Sequence, residues 1–199
     1  MSGPRPHDLL RIDSVTHLCR MGPAWVTPAL RDAPWVVVRR AWCASGYLPV
    51  GIRGATRSHR HATLVEVDSV TEILSPSDLI DRIDLLPPDL PVTEALRRAA
   101  ALFAPIGLRW GPGGSVGFSL ATGVLAVTPT SDLDLVVTTD DVPPLEMLAG
   151  LREAFSELPA RVDCQLDLPI GGVALNDLLG PADQVLVRTN DGPSLMKVG

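Results

Sequence analysis

The stretch SDLDLVV, residues 131–137, sets two aspartates two positions apart at the entrance of an apolar run. In an extended strand, residues i and i+2 point to one face, about 6.8 Å apart at ~3.4 Å per residue. Asp132 and Asp134 then share a face, while Leu133 and Leu135 turn toward a core. Two ionised carboxylates this close repel each other. A divalent cation removes that repulsion and takes both as oxygen ligands, which is the chemistry of Mg2+ or Mn2+. The plain alternative is a turn: Ser131 and Asp132 are good turn formers, and Asp134 then simply faces water.

The neighbours on either side decide between these readings. Downstream, RVDCQLDL (161–168) alternates polar and apolar residues like a strand. Asp163 follows Asp134 by 29 residues, room for one helix and a return into the sheet. Asp163 is the candidate third carboxylate, with Asp167 as the alternative. Three such groups suit a two-ion site, ions ~3.5–4 Å apart, for in-line displacement at phosphorus. Upstream lies WGPGGSVGFSLATG (110–123). Glycines at this point let backbone N–H groups approach phosphate oxygens, and the Ser115 hydroxyl after Gly114 adds a donor. Alone, that stretch reads equally well as a glycine turn.

Further out, LLPPDLP (85–91) carries three prolines in five residues, which stops regular structure. It reads as a linker (87–91) between an N-terminal domain (1–86) and a C-terminal one (92–199). In the first, WVVVRR (35–40) and ATLVEV (62–67) are strand-like, and SPSDLIDRID (75–84) reads as a short helix with Ser75 or Ser77 near its cap. In the second, Thr93 is a candidate cap for a helix with Leu96, Ala99, Ala100 and Phe103 at helical spacing, ended by Gly107. Pro143 and Pro144 open another helix, with Leu148, Leu151, Phe155 and Leu158 as its apolar stripe. A short helix is expected near 173–179, and QVLVRT (184–189) as the last strand, closed by a turn at 190–192. The fold class is α+β: a small α+β domain, then a sheet with helices packed on it.

Composition narrows the function. Residues 1–91 hold 10 basic and 10 acidic side chains; residues 92–199 hold 7 and 13. An acidic half is a poor general nucleic-acid binder and suits bound metal ions. Cys19, Cys43 and Cys164 form no CxxC pair, which argues against a zinc site or a disulfide framework. No apolar run approaches a membrane span and the N-terminus has no signal-peptide pattern, so a cytoplasmic protein without membrane or nucleic-acid partners is expected.

Gly-Ser, then S-D-L-D-L, then a third strand aspartate resembles the nucleotidyltransferase superfamily, whose fold is the polymerase β-like mixed sheet. Ser115 precedes Asp132 by 17 residues, longer than the usual interval, so Gly123, Thr128 and Thr130 stand as alternative phosphate-binding positions. A narrower resemblance spans nearly the whole chain. RPHDLLRI, WVVVRRA, LPVGIRGATRSHRHA, GSVGFSLATG, SDLDLVV, RVDCQLDLPIGGVAL and VLVRTNDGPSL, in order, look like the phosphoribosyl-dephospho-CoA transferases (holo-acyl-carrier-protein synthases) of malonate decarboxylase. The resemblance implies 2′-(5″-triphosphoribosyl)-3′-dephospho-CoA as donor and a serine of the apo acyl carrier subunit as acceptor, with pyrophosphate leaving. It implies Asp132, Asp134 and Asp163 as catalytic metal ligands for Mg2+ (or Mn2+), and Gly114 and Ser115 on phosphate. Two other readings keep these residues: a nucleotidyltransferase using an NTP, and a non-catalytic binding module.

From Ala33 to Val65 there is no Asp or Glu, yet Arg39, Arg40, Arg53, Arg57 and Arg60 occur there. A solvated basic face is the ordinary reading of any one of them. As a cluster they suit phosphate or an acidic carrier protein, which guanidinium grips in two-pronged fashion. Arg53, flanked by glycines, and Arg57 are the candidate ligand contacts. His59 and His61 have no acidic partner near in sequence, and the four tryptophans read as core or interface residues.

Overall fold

The computed structural model describes residues 3–13, 18, 22–56 and 58–197. The chain divides into two compact units, Met1–Ser75 and Pro76–Gly199. The division therefore falls at 75/76 and not at the proline cluster 87–91. Pro76–Leu85 is a 3₁₀ segment that packs on the second unit's first strand. Gly111 of that strand lies flush against the Pro76 backbone, where a Cβ would collide. The prolines only turn the chain into the next helix, which carries Pro91 in its first turn, where the missing N–H is harmless.

The first unit is one antiparallel sheet with a helix on it. Its strands are β1 (Leu9–Ile12), β2 (Trp35–Val38), β3 (Tyr47–Arg53), β4 (Arg60–Glu66) and β5 (Val70–Leu74). They lie in the order β4-β3-β2-β1-β5. Helix α1 (Val26–Asp32) contacts β3. Alternation sends Leu10, Ile12, Val36, Val38, Val50 and Ile52 into a core with Val26 and Leu30. Each such side chain contributes roughly 1.5–3 kcal/mol by leaving water.

The second unit is a mixed six-stranded sheet, β11-β10-β9-β8-β7-β6. Its strands are β6 (Arg109–Pro112), β7 (Leu133–Thr138), β8 (Val162–Leu168), β9 (Gly171–Ala174), β10 (Gln184–Thr189) and β11 (Gly192–Lys197). Only β7 and β8 run parallel. The crossover between them is α4 (Leu145–Ser156), started by Pro144 as the sequence pattern predicts. Helix α2 (Pro91–Phe103) packs on β7 and α4. On this face Phe103 stacks on Trp110, with centroids 4.4 Å apart, and tilts against Phe155. Leu133, Leu135 and Val137 of β7 point into this core, each at most 1% exposed.

Several local expectations change. Thr93 does not cap α2; it sits inside the first turn and its hydroxyl donates to Pro87 O at 2.8 Å. The glycine-rich stretch is not a loop: α3 spans Gly114–Thr122. Near 173–179 the chain first forms β9, then the single turn α5 (Leu175–Leu178). The turn at 190–192 does not end the sheet, since β11 folds back on β10. No helix of the described residues is long and apolar enough to cross a membrane.

Candidate active site

The acidic stretch enters the sheet as its alternation requires. Leu133 and Leu135 are buried against the helices, and Asp134 projects from the opposite face, half-buried. Asp132 lies one residue before the strand and is also half-buried. It follows a tight turn in which the Ser131 hydroxyl accepts from Thr128 N at 2.9 Å and Ser131 N donates to Thr128 O at 3.0 Å. The turn and strand readings of SDLDLVV are thus both realised, on successive residues.

The parallel pairing of β7 and β8 brings in the third carboxylate. Asp134 is the direct cross-strand partner of Asp163. Residues opposite one another share a face, so the two carboxylates stand side by side on neighbouring strands, about 4.8 Å apart at the backbone. Asp167 pairs with Thr138 instead, four residues further along β8. At ~3.4 Å per residue that is over 13 Å from the Asp134 level, too far to share an ion. Asp163 has a partner that the sequence did not announce: Arg161 donates to its carboxylate at 3.0 Å. The pair is largely solvent-exposed, so its contribution to stability is small.

Helix α3 supplies the third side of the site. Gly113 N donates to Asp134 O at 2.8 Å, tying the start of α3 to the acidic strand. Gly114 has φ +54°, a left-handed conformation that glycine adopts without strain. A Cβ there would also run into the Asp134 carboxylate. Glycine is required twice over: for the turn, and for the contact between acid and helix N-terminus. Ser115 is the second residue of the helix and half-buried. The first amides of a helix have no acceptor of their own and carry partial positive charge.

The long interval from Ser115 to Asp132 is taken up by α3 itself and residues 123–132. That segment is laced back to the helix: the Ser119 hydroxyl donates to Ser115 O and accepts from Ala126 N, both at 2.9 Å. Gly123 ends the far side of α3 with φ +74°, about 13 Å from Gly114 at 1.5 Å per residue, so it is a helix cap and no alternative to Ser115. Thr128 and Thr130 share the turn just before Asp132.

The donor set is made of hard carboxylate oxygens, which fits Mg2+ or Mn2+. Its side chains are not gathered at one point: among the described residues no three His, Cys, Asp or Glu side chains converge as a metal cluster. Arg161 draws Asp163 in its own direction.

In the first unit, Arg53 ends β3 and is the direct partner of Arg60 at the start of β4. Two like charges thus face one another across the strand pair, an arrangement that opposite charge nearby relieves. The stem of Arg39 lies over Gly51, on the same side of the sheet. Arg57, between them in sequence, lies outside the described residues. His59 is held by stacking on Trp25, centroids 5.0 Å apart. Trp35 and Trp110 are core residues, and Trp42 is exposed.

A mixed sheet with paired strand carboxylates beside a glycine-started helix, preceded in sequence by a separate antiparallel sheet, makes this a two-unit α+β protein. The family models identify it further. The description "Phosphoribosyl-dephospho-CoA transferase MdcG C-terminal domain" matches residues 78–199, and the corresponding N-terminal domain matches 5–76. The chain belongs to this family. A phosphoribosyl-dephospho-CoA transferase of Pseudomonas aeruginosa is 38% identical over 98% of this chain and 93% of its own length. One from Pseudomonas putida is 37% identical (98% and 95%), and one from Klebsiella pneumoniae 34% (98% and 95%). No solved structure matches. The two family domains meet where the units divide.

Proposed function

We propose that this chain transfers phosphoribosyl-dephospho-CoA from 2′-(5″-triphosphoribosyl)-3′-dephospho-CoA to a serine of the apo acyl carrier subunit of malonate decarboxylase. The observation that carries the reading is the side-by-side register of Asp134 and Asp163, with Asp134 seated against Gly114 at the start of α3. Family membership supports phosphoribosyl-dephospho-CoA as the group transferred; this donor and this acceptor are part of the proposal.

In the proposed reaction the carrier's serine oxygen attacks the phosphorus next to the ribose. A new P–O bond forms, the bond to the second phosphate breaks, and pyrophosphate leaves with its electron pair. The serine proton passes to a carboxylate, for which Asp163 is the candidate. The amides at the start of α3 and the Ser115 hydroxyl receive the oxygens of the departing pyrophosphate. Asp132, Asp134 and Asp163 would hold Mg2+ or Mn2+, which offsets charge on the triphosphate and acidifies the attacking hydroxyl when bound. Arg53, Arg57 and Arg60 hold an anionic portion of donor or carrier.

The reading is tested by pyrophosphate release. Purified protein with donor, apo-carrier and Mg2+ should release one pyrophosphate per carrier loaded, and ATP should not replace the donor. Release with ATP would move the protein to the NTP-using class. No release under any metal would leave a binding module.

A further inference from the structure

Beyond the three aspartates, the same face of the sheet carries a construction that family membership does not assign. Side chains on β8 alternate, so Asp163 and Gln165 share a face. Gln165 lies over Gly172 of β9, where a Cβ would collide with its amide. Gly172 in turn pairs with Arg188 of β10. Across this gap the Arg188 guanidinium donates to Gln165 Oε1 at 3.0 Å. A missing side chain on the middle strand thus lets an arginine two strands away reach back toward the carboxylates. Arg188 is exposed.

Arg188 is bordered by apolar residues toward β11, while Asp167 of β8 stands in its register row beyond Gly172. Leu186 shares its face and is the direct partner of Leu195; Pro193 is the partner of Arg188 itself. Leu186 and Leu195 are both exposed, as is Ile170 in the turn between β8 and β9. A cation bordered by apolar strand surface suits a ligand whose phosphate leads into an apolar arm. From β7 outward the strands carry Asp134 on β7, Asp163 and Gln165 on β8, Arg188 and Leu186 on β10 and Leu195 on β11.

We infer that Arg188 is a specificity-determining residue that binds the diphosphate of the dephospho-CoA portion of the donor, with Gln165 as its positioning residue and Leu186 and Leu195 beneath the pantetheine arm. The inference rests on the proposed transferase reading. It adds a second anion site on the side of the carboxylate pair away from α3, one that an NTP lacking the dephospho-CoA portion would leave empty.

The experiment uses the full chain and two probes, 3′-dephospho-CoA and inorganic pyrophosphate, with calorimetry for the first and inhibition of loading for both. Arg188→Ala should weaken 3′-dephospho-CoA by about tenfold or more, the scale of a lost charge-assisted hydrogen bond, and leave pyrophosphate inhibition unchanged. Arg188→Lys should recover part of the loss. Gln165→Ala and Gly172→Ala, with unchanged melting temperature, should raise the donor KM in the same direction at nearly unchanged kcat. Weakened pyrophosphate with intact dephospho-CoA binding would overturn the assignment by moving Arg188 to the triphosphate. A raised KM for apo-carrier alone would overturn it by giving this face to the carrier. Wild-type loading with donor KM unchanged in Arg188→Ala sinks the inference and spares the transferase reading, whereas failure of the wild type to load sinks that reading itself.

Discussion

The two units build sheets of similar size and put opposite charges on them. In the first, every strand pair is antiparallel, and the hairpin β3–β4 sets Arg53 against Arg60. In the second, the one parallel pair sets Asp134 beside Asp163. Both arrangements juxtapose like charges, and in the second Arg161 offsets the charge of Asp163. The settings differ in rigidity. Arg53 and Arg60 frame a hairpin end, while Asp134 is fixed by a buried leucine on each side and by a backbone hydrogen bond to Gly113. Under the proposed function the chemistry falls to the acidic sheet, and the basic hairpin adds a capture site for donor or carrier.

The largest effect is expected at the acidic pair. Asp134→Asn should lower carrier loading by about 10³-fold, some 4 kcal/mol at 1.36 kcal/mol per decade, with little change in melting temperature. Loading at the wild-type rate would remove the aspartates from the chemistry. Next is Gly114→Ala, which adds a Cβ against the Asp134 carboxylate and places a non-glycine residue at φ +54°. Its loading rate should fall by about 10²-fold, as when one preorganised donor is lost, and stability should drop by roughly 1–2 kcal/mol. A Gly114→Ala protein with full activity would show that the contact of helix and acid is incidental.

At the basic hairpin the effect should be smaller and of a different kind. Arg53→Glu should raise KM for one substrate by about tenfold while kcat changes little. Equal loss in kcat would contradict the division of labour between the units. Smallest is the response of Cys164, on the helix-facing side of β8, whose thiol is pushed up to about 12 by burial. A raised thiol pKa favours the folded state while the thiol is protonated. Its contribution is complete below the ordinary value of 9.0 and is lost as pH climbs from there toward 12. Native protein at neutral pH should therefore take up iodoacetamide at Cys43 before Cys164, with peptide mapping as the readout.

The sequence made the acidic site legible because a strand has a fixed period. Alternation alone separates Asp134 from Leu133 and Leu135, and a 29-residue spacing leaves room for one crossover helix. The helix α4 announced itself through proline and an apolar stripe. Helix α3 did not, since glycine and serine are weak helix formers and its stability comes from packing on β7 and the 3₁₀ segment. The proline cluster pointed to the wrong boundary because prolines mark a turn equally well inside a domain as between domains. Arg161 beside Asp163, and Arg188 reaching Gln165 across Gly172, were hidden for another reason. Such contacts depend on strand register and on an absent side chain, neither of which a local pattern encodes.

The most direct measurement is the intact mass of apo acyl carrier subunit after incubation with this protein, donor and Mg2+, run beside the Asp134→Asn variant. The expected result is a gain equal to one phosphoribosyl-dephospho-CoA group with the wild type and none with the variant in the same interval. An unmodified carrier with the wild type, or equal modification by both proteins, would contradict the assignment of this transfer to the aspartate pair.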